Sequence, residues 1–151
     1  MQIKFKKLYP DAVTPKQGTP GSAGFDLVAI RREVDFVRDR VIYNTGIAVE
    51  IPKGYVGLIF PRSSICKLDM QLTNSVGVID SDYRGEIKAV FWAIPHMERG
   101  NIKWEKGYFM YEPGDRFGQL VIVPIPEVEY VEVEELSVTE RGAGGYGSTG
   151  K

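Results

Sequence analysis

Ile47-Ala-Val-Glu-Ile-Pro-Lys-Gly-Tyr-Val-Gly-Leu-Ile-Phe-Pro-Arg-Ser-Ser64 is the stretch on which the fold turns. Ile47, Val49 and Ile51 alternate with Ala48 and Glu50, which is the two-residue period of a half-buried strand. Pro52-Lys53-Gly54 interrupts the run, and Tyr55 to Phe60 resumes it with β-branched and aromatic side chains. Pro61 then ends it, and the next three residues, Arg62, Ser63 and Ser64, bring a fixed cation and two hydroxyls together in a loop. The unit is a short strand, a Gly/Pro turn, a second short strand and a polar loop.

The same pattern extends outward in both directions. Ile3, Phe5 and Leu8, with lysines between them, predict an N-terminal strand, and Glu86 to Trp92 predicts another. Gln119 to Ile125 reads as a buried strand, and Val128 to Val133 as a strand with a wet acidic face. Glu127, Glu129, Glu132, Glu134 and Glu135 would form its solvated edge, since alternating acids discourage edge pairing. Turn residues recur at Thr19-Pro20-Gly21, Arg99-Gly100-Asn101, Lys106-Gly107 and Pro113-Gly114-Asp115. The expected class is all-β, a sandwich, jelly roll or barrel, with no helix beyond a turn or two after Ser64 and no internal repeat.

A chain of 151 residues, 43% hydrophobic and 26% charged, fits one globular domain with a real core. A net charge of −1 gives no electrostatic footprint for duplex nucleic acid, while a small charged ligand is easily accommodated. No apolar run is long enough to span a membrane, and Met1-Gln-Ile-Lys-Phe-Lys-Lys7 lacks the apolar core of a signal peptide. The single cysteine, Cys66, excludes an internal disulfide and suits a reducing compartment; it is expected to be small, buried and unreactive. One histidine, His96, cannot build a histidine cluster for zinc and is expected in a loop. The expected localisation is cytoplasmic, in the host cytoplasm if the source is viral.

Loops carry chemistry in such folds, and several here are polar in a particular way. Pro20-Gly-Ser-Ala-Gly-Phe-Asp26 places an acid at a strand's start. Ile79-Asp-Ser-Asp-Tyr-Arg-Gly85 packs two acids, a tyrosine and an arginine together. Pro113-Gly-Asp-Arg-Phe-Gly-Gln119 adds another cation and an amide. Arg141-Gly-Ala-Gly-Gly-Tyr-Gly-Ser-Thr-Gly-Lys151 offers unobstructed backbone N–H groups between two cations, the chemistry of a phosphate cradle, although a glycine-rich tail reads the same way. Gly142, Gly144 and Gly147 fit the G-x-G-x-x-G dinucleotide pattern, but the strand, helix and downstream acid that this pattern needs are missing. Gly145 to Lys151 fits most of a P-loop, without its final Ser or Thr.

In this order the loops resemble the five motifs of the trimeric dUTPase family (deoxyuridine triphosphate nucleotidohydrolases): Ala23-Gly-Phe-Asp-Leu27, Pro61-Arg-Ser-Ser64, Gly77-Val-Ile-Asp-Ser-Asp-Tyr-Arg-Gly85, Arg116-Phe-Gly-Gln-Leu120 and Arg141 to Gly150. The resemblance implies a distorted jelly-roll or β-barrel protomer over 1–140, a C-terminal arm over 141–151, and a homotrimer with active sites between subunits. It implies Mg2+ as cofactor and hydrolysis of dUTP to dUMP and pyrophosphate, which supplies dUMP for dTMP synthesis and keeps uracil out of DNA. By the same resemblance Asp80 is the general base that activates water. Arg62, Ser63 and Ser64 hold phosphates and Gln119 contacts the α-phosphate region. Asn74 reads the uracil edge with the hairpin backbone of Gly77, Val78 and Ile79, and Tyr83 packs under the deoxyribose. Arg141, Gly147, Ser148 and Thr149 belong to the arm that closes on the phosphates, Tyr146 stacks on the base where the family usually has Phe, and Asp26 reaches the metal through water.

The connection from about 93 to 112 is longer and more aromatic than the family's, and is expected to be an extended hairpin or a contact for a protein partner. Two alternatives stay open. A dCTP deaminase has the same fold but needs a catalytic Glu near Ile87 to Trp92, where this sequence has Lys88, Ala89, Val90 and Phe91. A nucleotide-gated regulator of another protein is supported only by the insert.

Overall fold

Alternating side chains need two surfaces to alternate between, and the chain supplies them as two antiparallel sheets packed face to face. The structure is a computed structural model describing residues 1–94, 96–98, 101–103 and 110–145. In chain order the strands are β1 (Lys4–Lys7), β2 (Phe25–Val28), β3 (Arg31–Asp35), β4 (Arg40–Asn44), β5 (Ile47–Glu50) and β6 (Tyr55–Pro61). A 3-10 turn at Ser63–Lys67 leads to β7 (Met70–Leu72), β8 (Gly77–Ile79) and β9 (Lys88–Ala93). Strands β10 (His96–Glu98), β11 (Asn101–Lys103) and β12 (Arg116–Pro124) follow. One sheet has the order β2-β12-β6-β8 and the other β3-β4-β9-β7, while β1-β5 and β10-β11 form separate ribbons. The all-β class expected from the sequence is the class observed.

The core lies between the two four-stranded sheets. Val41 and Tyr43 of β4 point inward with Ala89, Phe91 and Ala93 of β9, and from the opposite sheet come Leu27, Ile59, Phe117 and Leu120. An aromatic cluster joins the two layers. Tyr43 stacks on Phe117 with ring centres 5.3 Å apart and meets Phe91 edge-on at 5.6 Å. Its buried hydroxyl donates to the Tyr111 carbonyl at 3.0 Å, so the one polar atom of the cluster is satisfied. Burial pushes the Tyr43 phenol well above the usual tyrosine range.

Three expectations are corrected. Residues 128–133 form no strand: Val128, Tyr130 and Val131 are exposed, Tyr130 by 98%, because among the described residues no strand lies beside them to complete a ladder. Cys66 is exposed, since the 3-10 turn carries it on its outer side. His96 begins β10 instead of lying in a loop. The ribbon β10-β11 falls within the expected insert, whose residues 95, 99–100 and 104–109 lie outside the described set. Among the described residues no helix is long and apolar enough to cross a membrane.

Removing the ring that joins the sheets leaves a cavity that neither rigid layer can fill. Phe117→Ala is expected to lower stability by about 3–5 kcal/mol. Urea denaturation at a fixed protein concentration checks this, and a loss below about 1 kcal/mol, typical of a surface change, would show that the cluster does not hold the sandwich together.

Candidate active site

Strand β12 lies between β2 and β6 and sets one end of the site. Gln119 is opposite Asp26 of β2 on one side and Phe60 of β6 on the other, so the amide, the acid and the end of β6 share one level of the sheet. The β2–β12 register slips between Arg116 and Gly118. This bulge lets Phe117 enter the core while Arg116 comes to the same face as Asp26. Asp26 is thereby flanked by two guanidinium groups: Arg62 Nε lies 3.0 Å from Oδ1, and Arg116 Nη1 donates to Oδ2 at 3.0 Å.

A cavity of about 170 Å3 opens here, lined by Gly18, Ser22, Asp26, Arg62, Ser63 and Gln119. Gly24 also lines it, and a Cβ added there would lie 2.8 Å from Gln119 Oε1 and 3.0 Å from Gln119 Cβ, so a side chain at this position would displace the amide. Gln119 Nε2 is 3.4 Å from the Pro61 carbonyl, which points the amide along the loop that carries Arg62. A concave site with a guanidinium, a hydroxyl and an amide suits a phosphate-like anion.

The second cluster sits beyond the other edge of β6. Strand β8 pairs there, with Gly57 opposite Ile79 and Ile59 opposite Gly77. Gly77 permits the close approach, since a Cβ on it would be 3.0 Å from that of Ile59. The tight turn before β8 places Ser75 at φ 60° and donates Val76 N–H to the Asn74 carbonyl. After β8 the chain turns again, with Tyr83 N–H donating to the Asp80 carbonyl at 3.1 Å. The Tyr83 ring lies across Gly85, where any side chain would collide with it, and its hydroxyl donates to the Glu86 carbonyl at 3.0 Å. The Asp80 carboxylate is exposed and, among the described residues, forms no hydrogen bond or ion pair.

Two adjoining cavities result. One of about 260 Å3 is lined by Val78, Ile79, Asp80, Tyr83, Glu86 and Lys88. The other, of about 130 Å3, includes Asn74, Gly77, Thr73 and Val90, and shares Lys88 with the first. Lys88 is held by Glu86, 3.4 Å from Oε2, and Glu86 in turn accepts the Gly46 N–H.

The expected site residues thus fall into two groups. Asp26, Arg62, Ser63 and Gln119 come together, and so do Asn74, Gly77, Val78, Ile79, Asp80 and Tyr83. The two groups do not meet. Gly57 is level with Ile79, and Arg62 is five residues further along, about 17 Å at the rise of a strand. Ser64 leaves the first group, because its hydroxyl bonds to the Tyr111 hydroxyl at 3.0 Å. Arg141 is exposed and its Nε donates to the Gly144 carbonyl, closing a turn at the start of the arm. Tyr146, Gly147, Ser148 and Thr149 lie outside the described residues. Sequence reading passed over Arg116 and Lys88 as site residues. Lys88 carried a signal, the out-of-phase position beside the inward Ala89 and Phe91.

A family model described as dUTPase matches residues 11–150. The chain belongs to the dUTPase family. A deoxyuridine 5'-triphosphate nucleotidohydrolase of Hydrogenobaculum sp. is 42% identical over 99% of this chain and 99% of its own. One of Nautilia profundicola is 43% identical over the whole of both chains. Among solved structures, a variant of the Staphylococcus bacteriophage 80alpha dUTPase with dUpNHpp superposes with a TM-score of 0.81 at 30% identity, covering 99% of each chain. The dUTPase fold therefore spans essentially the whole sequence.

The phosphate-like character of the first cavity can be tested without a nucleotide. Pyrophosphate is expected to bind, and Arg62→Gln to weaken it about tenfold, the loss of one charge-assisted contact. Isothermal titration calorimetry checks this; equal affinity for the two proteins would place the anion elsewhere.

Proposed function

We propose that this chain hydrolyses dUTP to dUMP and pyrophosphate, at sites that each combine the Asp80 end of one protomer with the Arg62 end of another. The observation that supports this reading is the division of the site by β6. One end offers a pocket for a nucleoside with a free carboxylate beside it, and the other offers a cavity for phosphates. A water attacking the α-phosphorus has to touch Asp80 while the adjoining phosphates touch Arg62, and these atoms of one nucleotide lie within a few ångströms of one another. Two ends of one strand cannot meet that requirement, so a second protomer has to supply the other half. The exposed apolar residues of 126–140 favour the same assembly, since Tyr130, Leu136 and Val138 are 98%, 86% and 99% exposed on a lone protomer. Three copies in a ring give each half-site a partner, as in the family's homotrimers.

The chemistry follows from the residues. Asp80, whose carboxylate forms no ion pair among the described residues, accepts a proton from the water as the water attacks, and pyrophosphate leaves from the opposite side of phosphorus. Arg62 and Ser63 hold the departing phosphates, and the Gln119 amide contacts the α-phosphate. The Tyr83 ring, fixed over Gly85, fills the space that a 2′-hydroxyl would need. Asn74 and the backbone of Gly77, Val78 and Ile79 read the uracil edge, and the narrow hairpin wall excludes the methyl group of thymine. Lys88, between the two pockets, adds a cation next to the base and takes the place of the glutamate that a deaminase would need. Arg141 begins an arm whose Tyr146, Gly147, Ser148 and Thr149 close over base and phosphates. The lone cysteine, with an exposed thiol, is compatible with a reducing cytoplasm.

Among the described residues no three His, Cys, Asp or Glu side chains are grouped to hold a metal ion. That donor set fits Mg2+ carried on a triphosphate, which keeps most of its waters and needs only an occasional protein carboxylate. Asp26 lines the phosphate cavity and would reach it through such a water. Bound there, Mg2+ would neutralise phosphate charge. A phage phi11 dUTPase of S. aureus, 27% identical with a TM-score of 0.71, is described with a structural Mg(II) ion.

Pyrophosphate release measured with Mg2+ across dUTP, dTTP, dCTP and UTP tests the reading: dUTP alone is expected to turn over efficiently, and ammonia release from dCTP would replace it with the deaminase. Asp80→Asn is expected to retain binding of a nonhydrolysable dUTP analogue and lose about 10²–10⁴ in kcat. An unchanged kcat would remove Asp80 as the base.

A further inference from the structure

The proposed dUTP site leaves one cation of its phosphate end without a task. Arg116 does not line the cavity and its side chain is 52% exposed, yet it donates to Asp26 Oδ2 at 3.0 Å. The other oxygen of Asp26 lies 3.0 Å from Arg62 Nε. The three side chains are therefore in series, with Asp26, 15% exposed, in the middle.

The polarity of the series carries the inference. Asp26 meets the inner nitrogen of Arg62, and among the described residues Nη1 and Nη2 of Arg62 make no hydrogen bond, so the outer fork is left for a ligand. An arginine on a flexible stem loses rotamer freedom when it binds an anion, and a carboxylate that already holds its Nε removes part of that cost. A carboxylate can do this only if it is itself held. Arg116 holds it from outside, where it does not compete for the cavity. The bulge at Arg116/Gly118 is what brings this cation to the Asp26 face while Phe117 stays in the core.

We propose that Arg116 is a positioning residue for phosphate binding: it fixes Asp26, and Asp26 aims the fork of Arg62 at the nucleotide's phosphates. The inference rests on the proposed dUTP site and adds to Asp26 a second task besides the metal's water. It distinguishes Arg116 from a cation that merely raises the local positive potential, because such a cation would act whether or not Arg62 were present.

A double-mutant cycle on the full-length protein separates the two. Affinity for a nonhydrolysable imido analogue of dUTP, and for deoxyuridine, is measured for the wild type, Arg116→Gln, Arg62→Gln and the double variant. Arg116→Gln is expected to weaken the analogue about tenfold, a positioning loss, and to leave deoxyuridine unchanged. In the Arg62→Gln background the same substitution is expected to change analogue affinity by less than about twofold, because its route of action is gone. Wild-type affinity in Arg116→Gln, or a loss of equal size in both backgrounds, would overturn the role. If Arg116→Gln also loses deoxyuridine binding or its oligomeric state, Arg116→Lys takes its place in the cycle. That variant keeps the charge and is expected to lose only about threefold, since a point charge replaces the fork, and again only where Arg62 is present. A threefold loss that persists without Arg62 would refute the proposal. Wild-type protein that neither binds the analogue nor hydrolyses dUTP would sink the nucleotide reading itself, whereas tight binding with an additive cycle sinks only the role of Arg116.

Discussion

Strand β6 is the constraint on which the site depends. It pairs with β12 along one edge and with β8 along the other, so both halves of the candidate site hang from a single rigid ladder. Backbone hydrogen bonds fix the register on each side, and the pleat fixes the rise per residue. The Asp80 carboxylate and the Arg62 fork are therefore held apart by the length of the strand. No side-chain motion closes a gap of about 17 Å along a paired strand, and it is on this separation that the proposal of a site completed across an interface rests.

That separation has physical consequences for a lone protomer. At its anion-suited cavity two guanidinium groups stand against the single carboxylate of Asp26, so a net positive charge is left facing solvent. Its Asp80 carboxylate stands in water, where a base has little leverage on a phosphoryl group. Bringing a second protomer over the first excludes solvent from both at once, and electrostatic interactions strengthen as water leaves. In the proposed shared site assembly and catalysis would be one event, while within each protomer the aromatic cluster of Tyr43, Phe91 and Phe117 ties the two sheets together.

Much of this was legible in the residues. The alternation in Ile47–Ile51 and Tyr55–Phe60 is carried into β5 and β6, and the polar loops that follow strands are where the cavities open. What escaped the sequence depends on pairing. Val128 to Val133 has the alternation of a strand, but alternation records only that a face needs cover and says nothing about which chain covers it. Cys66 has the composition of a core residue and the position of a surface one, because the 3-10 turn places it outward. Arg116 was hidden by its bulge: a strict period of two would have put it on the face opposite Asp26. The division of the site was hidden for a similar reason, since nothing in the local pattern says that β8 pairs with β6 instead of continuing beside β7.

The most direct measurement is complementation between two impaired protomers. Asp80→Asn and Arg62→Gln chains, each expected to have lost most of its turnover alone, would be unfolded, mixed in equal amounts and refolded together, and dUTP turnover followed. A site shared between protomers needs an intact Asp80 from one chain and an intact Arg62 from another, so random assembly restores about one quarter of the sites. Recovery approaching that fraction is the expected result. Mixed oligomers, verified by a mass tag on one variant, that remain as inactive as their parents would contradict a site built across protomers.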